Sequence, residues 1–236
     1  MSAIARLAGA FWRRGGATYF RSGGCSARCF RSEYNASPHL FQKIIQYCVT
    51  RIHSFTPVAD ERARILILGS MPGSASLAAR QYYAHKQNAF WRIMAELVAF
   101  DYGLPYADKI AALRSAHIAL WDVLHSCKRI GSLDTMIEAE TQLANDFVSF
   151  FHRHRAITHI YFNGSKAETC FKQLVMPNIE CDTFHYQRLP STSPANATIP
   201  FMKKLEAWRA ILKPLHGESI PYSIHGDLLK KEYRLR

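Results

Sequence analysis

The chain has 236 residues, which is enough for one α/β domain of ordinary size with further segments at its ends. Hydrophobic residues make up 48% of the sequence and charged residues 20%, a globular balance that excludes disordered and collagen-like classes. No run of about 18 uncharged apolar residues occurs, so the sequence predicts no membrane-spanning helix. The net charge of +12 favours a polyanionic partner.

The cysteines are scattered along the chain and form no C-x-x-C pair. Their spacing therefore indicates neither a zinc site nor an iron–sulfur cluster, and we expect no metal and no cofactor. Such a pattern is typical of reduced, buried thiols in an intracellular protein. The six positions are Cys25, Cys29, Cys48, Cys127, Cys170 and Cys181.

Residues 1–48 form an arginine-rich segment with seven basic residues and one acid, which is half of the net positive charge. Two interpretations are open: a mitochondrial transit peptide, or a start assigned too far upstream, with translation beginning at Val49 on a bacterial GTG codon. The second, which we favour, predicts a cytoplasmic bacterial protein, and the first a mitochondrial one. In either case residues 49–215 are the expected folded domain, and residues 216–236 a basic surface tail.

The body of the chain alternates predicted strands and helices. The apolar, β-branched runs that predict strands are residues 63–68, 117–124, 157–162 and 183–189. Helical spacing is present from Asn88 onward, over residues 135–152, after Gly164, and in a closing segment through Trp208 and Leu212. This alternation predicts a layered α/β domain with a parallel sheet, in which sites gather in the loops at the carboxyl ends of the strands.

The loop after the first predicted strand is rich in residues that allow close backbone approach. It reads Gly-Ser-Met-Pro-Gly over residues 69–73, and a polar and aromatic stretch, residues 81–91, follows it. Taken alone, the loop could be an ordinary connection. Asn88 could likewise be the N-cap of the following helix, with Phe90 and Trp91 in the core.

Together these segments resemble the first motif of the uracil-DNA glycosylase superfamily. The matching residues are 69–73, the Tyr-Tyr-Ala-His of residues 82–85 and the Asn-Ala-Phe-Trp of residues 88–91, and the hypoxanthine-DNA glycosylase branch is the most similar. Residues 189–196, Leu-Pro-Ser-Thr-Ser-Pro-Ala-Asn, resemble the second motif, and residues 121–129 are similar to the middle strand and its loop. The resemblance implies a three-layer α/β/α fold with a central, mostly parallel four-stranded sheet.

The resemblance also implies an activity in base-excision repair. Such enzymes turn a deaminated base of DNA, here hypoxanthine and then uracil, out of the duplex and hydrolyse its N-glycosidic bond. The expected partner is DNA containing a deaminated base, the expected oligomeric state is a monomer, and no membrane is involved. The open alternatives are a mismatch-specific uracil or thymine glycosylase and a non-catalytic nucleic-acid-binding α/β module.

The catalytic residue carried over by the resemblance is Asn88, which would hold the attacking water. Many superfamily members carry an acid or amide for this task in the first loop, where the position looks like Ser70, a poor water-activating group. A neutral amide can hold a water but accepts its proton poorly. Positioning and electrostatic stabilisation of the leaving base would then supply much of the rate.

The resemblance implies a base pocket with Phe90 as the stacking aromatic and Asp122 as the group that reads the base. A core phenylalanine and a buried structural carboxylate are the alternatives for these two. Asn163 and His85 are weaker candidates, because capping or surface roles explain both. The expected pocket residues are Gly69, Ser70, Met71, Pro72, Gly73, Tyr83, Phe90, Asp122 and Asn163.

The second motif is expected to contact DNA rather than the base. Its prolines stiffen the loop, and its small hydroxyl side chains suit phosphate oxygens. The expected DNA-binding residues are Ser191, Thr192, Ser193, Pro194, Ala195, Asn196, Lys203 and Lys204, although a solvated helix face also explains the two lysines. The chain departs from the related pattern at Lys86, where proline is usual, which leaves the loop geometry and a Schiff-base step open.

Overall fold

The computed structural model describes residues 51–180 and 183–216. The interpretations made above for residues 1–48 and for the tail beyond residue 216 lie outside the described residues. The strands are β1 (Arg51–His53), β2 (Ile65–Gly69), β3 (Ile118–Asp122), β4 (Leu124–Lys128), β5 (Leu143–Ala144), β6 (His159–Asn163) and β7 (His185–Leu189). The helices are α1 (Ser74–Ala79), α2 (Phe90–Val98), α3 (Tyr106–Ser115), α4 (Phe147–Arg153), α5 (Ser165–Leu174), α6 (Phe201–Trp208) and α7 (Lys213–His216).

A parallel four-stranded sheet in the order β3-β2-β6-β7 forms the centre of the fold. Every residue of β2 and β3 is buried, which explains their uninterrupted apolar sequences, since a parallel strand is covered on both faces. β7 lies at an edge of the sheet, and Leu189 is the one buried residue among its five. The predicted α/β class and four-stranded parallel sheet are confirmed.

Helices cover both faces of this sheet. Neighbouring residues of β6 point to opposite sides: the Tyr161 hydroxyl donates to the Ala210 carbonyl after α6, whereas the Phe162 ring packs on Phe171 of α5. Phe90 of α2 meets Trp208 of α6 on the first side. The two helical layers and the sheet form the predicted three-layer arrangement, and no helix within residues 51–180 and 183–216 is long and apolar enough to span a membrane.

The predicted helix over residues 135–152 is wrong for most of its length. Residues 134–144 instead form two short 3-10 turns and β5, which pairs with β4 in a small antiparallel sheet of order β1-β4-β5. Helix α4 begins only at Phe147, because the Asp146 side chain accepts a hydrogen bond from the Ser149 backbone N–H and caps it. Leu143, which lies in β5, is exposed.

The predicted strand over residues 117–124 is in fact divided. His117 has a φ of +59° and precedes β3, and Val123 separates β3 from β4, which belongs to the other sheet. The Val123 and Leu124 N–H groups donate to the carbonyls of Gly69 and Ser70, so the chain leaves the parallel sheet across the first motif. This crossing places the loop after β4 beside residues 69–73.

Candidate active site

The carboxyl ends of the four parallel strands meet at one edge of the sheet, where Gly69 is in register with Asp122 and Asn163 with Leu189. A cavity of about 1090 Å³ runs along this edge. The first motif, the second motif and the loop after β4 provide its walls. Lining residues include 69–76, Tyr82, Tyr83, His85, Asn88, Asp122, 132–135, Ile137, 163–166, Thr169 and 188–196. Two motifs about 100 residues apart in the sequence therefore share one site.

Asn88 lines the cavity and forms a local turn just before α2. Its Oδ1 accepts a hydrogen bond of 3.0 Å from the Phe90 backbone N–H, as in an Asx turn. The N-cap of α2 is Ala89 rather than Asn88, and this capping turn is compatible with the catalytic interpretation of Asn88. Because Oδ1 already has this donor, the Nδ2 group is the part of the amide that could donate to a water in the cavity.

Phe90 does not line the cavity, and the structure contradicts its expected role as the stacking surface. Its side chain is fully buried, and the Tyr83 ring stacks on it at 4.1 Å between centroids. Tyr83 lies on the cavity wall instead, with a φ of +54° that is costly for a residue with a side chain. The aromatic surface available to a base is therefore that of Tyr83.

Asp122 and Gly69 make the closest approach in the site. A β-carbon at position 69 would collide with Asp122 Oδ1 and would lie 3.0 Å from the Tyr83 hydroxyl oxygen, so only glycine fits there. Burial and, to a lesser extent, the negative charge of Asp134 together raise the pKa of Asp122 to about 8, against the opposing positive charge of Arg129. The Asp122 carboxyl group is therefore largely protonated at pH 7 and can donate a hydrogen bond.

Two polar atoms at the base of the cavity lack a partner within the described part of the chain. They are Asp122 Oδ2 and the hydroxyl oxygen of Tyr83. Burial, followed by the charge of Asp122, also raises the pKa of Tyr83, which keeps its hydroxyl protonated. Since an unpaired buried polar group costs about 1–3 kcal/mol, these two atoms mark a place for a polar ligand.

Asn163 and Thr192 hold the second motif against the sheet. Asn163 Nδ2 donates to Thr192 Oγ1 at 2.9 Å, and the Thr192 N–H donates to Asn163 Oδ1 at 2.8 Å. The Thr192 carbonyl in turn accepts from the Ala89 N–H at 3.0 Å, which joins the second motif to the first. Thr192 is only 1% exposed, so its predicted role as a phosphate donor is wrong.

The rest of the second motif is held by its own side chains. Ser191 Oγ accepts from the Ser193 N–H, Ser193 Oγ accepts from the Ala195 N–H, and Asn196 Nδ2 donates to the Ser191 carbonyl. Pro194 begins the 3-10 turn Pro194–Asn196, and Ala195 at its centre is exposed. This loop is a preformed rim of the cavity.

The two lysines of α6 have different environments. Lys204 is buried, and its Nζ donates to the Asn196 carbonyl at 2.8 Å, so the prediction that it contacts DNA is wrong. Burial lowers the pKa of Lys204. Lys203 is exposed and stays a candidate for a phosphate contact.

The loop after β4 holds residues that the sequence analysis missed. Ser70 Oγ donates to Asp134 Oδ2 at 2.8 Å, and Arg129 Nη2 donates to the Pro72 carbonyl at 2.6 Å. Arg129 is buried, and its guanidinium group holds the backbone of the first motif loop through this bond to Pro72. The only sequence signal for Asp134 is its place in a Gly-Ser-Leu-Asp stretch, just before the helix that was wrongly predicted over residues 135–152.

His85 and Lys86 have no role at the base of the cavity. His85 is exposed on the wall, where its Nδ1 accepts from the Gln87 N–H. Lys86 is exposed and does not line the cavity. No group of three or more His, Cys, Asp or Glu residues in the described ranges could hold a metal ion.

Comparison with known proteins agrees with this architecture. A family described as the uracil DNA glycosylase superfamily matches residues 56–216, which is more than half of the chain. The chain therefore belongs to the uracil DNA glycosylase superfamily.

Two curated relatives are named hypoxanthine DNA glycosylase. The chain is 34% identical to that of Methanosarcina acetivorans over 161 residues, covering 67% of this chain and 96% of the relative. It is 39% identical to that of Methanosarcina barkeri over 114 residues, covering 48% of this chain and 71% of the relative. It also resembles the solution NMR structure of a candidate uracil DNA glycosylase from Methanosarcina acetivorans, with a TM-score of 0.60, 31% identity and coverage of 71% of this chain and 100% of that one.

Proposed function

We propose that this protein is a monofunctional DNA glycosylase that removes deaminated bases, hypoxanthine first and uracil second, by hydrolysing the N-glycosidic bond. The observation that carries the proposal is the buried Asp122 carboxyl group, with one oxygen unpaired within the described ranges, at the base of a cavity shared by both motifs. Relatives named hypoxanthine DNA glycosylase support the choice of base.

Base recognition would use the Asp122 carboxyl group and the ring of Tyr83, both on the cavity wall. Deamination turns an amino group of a base into a carbonyl beside a ring N–H. A protonated carboxyl group can donate to that carbonyl oxygen and accept from the N–H at the same time. The Tyr83 ring, fixed by its stacking on Phe90, would support the face of the base.

Bond cleavage would follow from charge stabilisation. As the C1′–N bond breaks, its electron pair moves onto the departing base, and a hydrogen bond from Asp122 to the base disperses that charge. The sugar becomes oxocarbenium-like, and a water held by Asn88 Nδ2 adds to C1′. The products are the free base and an abasic site in DNA, and no covalent intermediate with the enzyme is required.

The test is a panel of duplexes, each with one lesion: hypoxanthine, uracil, xanthine or a thymine mismatch. Under single-turnover conditions we expect alkali-labile breaks to form fastest at hypoxanthine and more slowly at uracil, and an undamaged duplex is the control. Retardation of the duplexes without abasic product would contradict the proposal and favour a binding module. Strand cleavage without alkali would instead indicate a lyase. In that case borohydride should trap a covalent protein–DNA adduct, and Lys86→Met should abolish the trapping.

We further propose that the protein acts as a monomer, because the walls of the cavity can be traced through one chain. Sedimentation of the active protein at assay concentration tests this. A single-turnover rate that depends on protein concentration at saturating enzyme would contradict it.

A further inference from the structure

The proposed hydrolysis leaves one chemical task unassigned, which is to accept the proton of the attacking water. The Asn88 amide can donate to the water but is a poor proton acceptor. Asp122 is largely protonated at pH 7, since burial raises its pKa to about 8, so it too is a poor acceptor. A third group on the cavity wall is needed.

Asp134 lies on that wall in a fixed orientation. It begins the 3-10 turn Asp134–Met136 and is partly buried, and its Oδ2 accepts from Ser70 Oγ at 2.8 Å. No other hydrogen bond reaches its carboxylate from within residues 51–180 and 183–216. The hydroxyl of the first motif loop thus orients one oxygen, and the other is available to a water.

Besides the Ser70 bond, the loop that carries Asp134 is tied at two places to the first motif loop and the residue that follows it. Ser132 Oγ accepts from the Ser74 N–H at 3.1 Å, and Arg129 Nη2 donates to the Pro72 carbonyl at 2.6 Å. Within the loop itself, Arg129 Nε donates to the Gly131 carbonyl at 2.9 Å. A catalytic group needs this kind of support, because a small displacement lowers its contribution strongly.

The surroundings of Asp134 suit a carboxylate that ionises before Asp122. Burial raises the pKa of Asp134, while the Ser70 hydrogen bond and the positive charges of Arg129 and Lys166 oppose that rise. The charge of Asp134 in turn raises the pKa of Asp122. Two carboxyl groups whose pKa values are separated in this way divide acid and base roles between them. The titratable and charged groups facing Asp134 are Tyr83, Asp122, Cys127, Arg129, Lys166 and Cys170.

The geometry points to Asp134 as a second catalytic residue, whose carboxylate holds the attacking water and takes its proton. In this step the water oxygen bonds to C1′, the electron pair of the C1′–N bond goes to the base, and one water proton moves to Asp134. The proton then passes through solvent to the released base. The inference rests on the proposed glycosylase function, and it places the acid that the first loop lacks on a different loop.

Asp134→Asn tests the proposal, because asparagine keeps the size of the side chain and can accept from Ser70. We expect the single-turnover rate on a hypoxanthine duplex to fall about 10²-fold, the scale for general-base catalysis. We also expect the acidic limb of the wild-type pH–rate profile to disappear. The matched control is Asp101→Asn, an exposed loop aspartate outside the cavity, which should keep the wild-type rate and profile.

A second variant tests the direction in which the pH–rate profile moves. Ser70→Ala removes the hydrogen bond that favours the ionised carboxylate, so the pKa of Asp134 should rise and the acidic limb should move to higher pH. A wild-type rate in a folded Asp134→Asn protein would overturn the assignment. A rate loss by the same factor at every pH, together with an unmoved limb in Ser70→Ala, would also overturn it. An inactive wild-type protein would count against the glycosylase function itself.

Discussion

At the scale of single residues, the site keeps two groups in arrangements that folding alone disfavours. Tyr83 adopts a φ of +54°, and Asp122 is buried with no cation paired to its carboxylate among residues 51–180 and 183–216. Such features cost free energy and are retained where a ligand benefits from them. Asp122 therefore has a direct effect on stability that can be measured without any substrate.

We predict that the stability of the protein falls between pH 5 and pH 8 because of Asp122. The folded chain holds the Asp122 proton up to about pH 8, whereas the unfolded chain loses it near its ordinary pKa of 3.8. Between these values the folded state binds the extra proton, so the free energy of unfolding decreases as pH rises, by up to about 1.4 kcal/mol per pH unit.

Asp122→Asn should remove most of this slope and make the protein more stable than wild type at pH 8. Urea unfolding of both proteins at pH 5, 6, 7 and 8 measures the effect, with Asp101→Asn as the exposed control. Parallel curves for wild type and Asp122→Asn would show that Asp122 does not hold its proton.

For Asn88 we predict that capping and catalysis can be separated. Asn88→Ala removes both the acceptor for the Phe90 N–H and the Nδ2 donor, so stability should fall by about 1 kcal/mol and the cleavage rate by about 10²-fold. Asn88→Asp keeps that acceptor but replaces the Nδ2 donor by a carboxylate oxygen, which can itself accept the proton of the attacking water.

Asn88→Asp should therefore melt like wild type and cleave faster than Asn88→Ala, because its carboxylate can hold the water and take its proton. Thermal unfolding and single-turnover cleavage of a hypoxanthine duplex measure the two effects. Near-normal cleavage by a folded Asn88→Ala protein would contradict the catalytic assignment of Asn88.

At the scale of elements, α6 acts as a support for the second motif. Lys204 Nζ reaches the Asn196 carbonyl, and Trp208 Nε1 donates to the Pro190 carbonyl at 2.9 Å, so one helix holds both ends of the loop. Lys203, one residue earlier, is exposed. Adjacent lysines of the same helix thus offer a matched comparison.

We predict that Lys204→Met destabilises the fold and that Lys203→Met does not. The first change leaves the Asn196 carbonyl without its donor and should lower the free energy of unfolding by about 1–2 kcal/mol. The second should leave stability unchanged and reduce the salt slope of DNA binding by about one, as expected for a lost phosphate contact. Urea unfolding and binding at several salt concentrations measure these effects, and the reverse pattern would contradict the assignment.

The helices and strands also show which parts of the fold and of the site were predictable from the sequence. Buried strands such as β2 were predictable, because a strand that is packed on both faces has an uninterrupted apolar sequence. The family resemblance located Asn88, Asp122 and the second motif. Asp134 was not predictable, because residues 134–144 follow the pairing of β4 with β5 rather than their local helical spacing. Thr192 and Lys204 were misassigned for a related reason: sequence shows that a side chain is polar but does not show whether it faces solvent or a backbone partner.

At the scale of the whole molecule, the net charge of +12 is shared equally between residues 1–48 and the remainder. The cavity walls come from residues 69–196, within the family match of residues 56–216. Chemistry and a large part of the positive charge therefore lie in different parts of the chain.

We predict that a truncated chain beginning at Val49 cleaves at the full single-turnover rate. Its binding to undamaged DNA should be weaker and less dependent on salt, because half of the net positive charge is gone. Cleavage assays and salt titrations of both forms measure this. A truncated protein that is insoluble, or that melts far below the full-length protein, would show that residues 1–48 support the domain.

The strand order has a consequence for the time at which activity can arise during synthesis. A nascent chain that has left the ribosome up to residue 180 already contains β3, β2 and β6, the loop with Asp134 and all of the first motif. Its cavity nevertheless lacks the wall formed by residues 188–196, and the anchors Lys204 and Trp208 are still to come. Cleavage competence should therefore appear abruptly, once α6 has emerged, so that ribosome-bound or prematurely terminated fragments would bind a base poorly and release none.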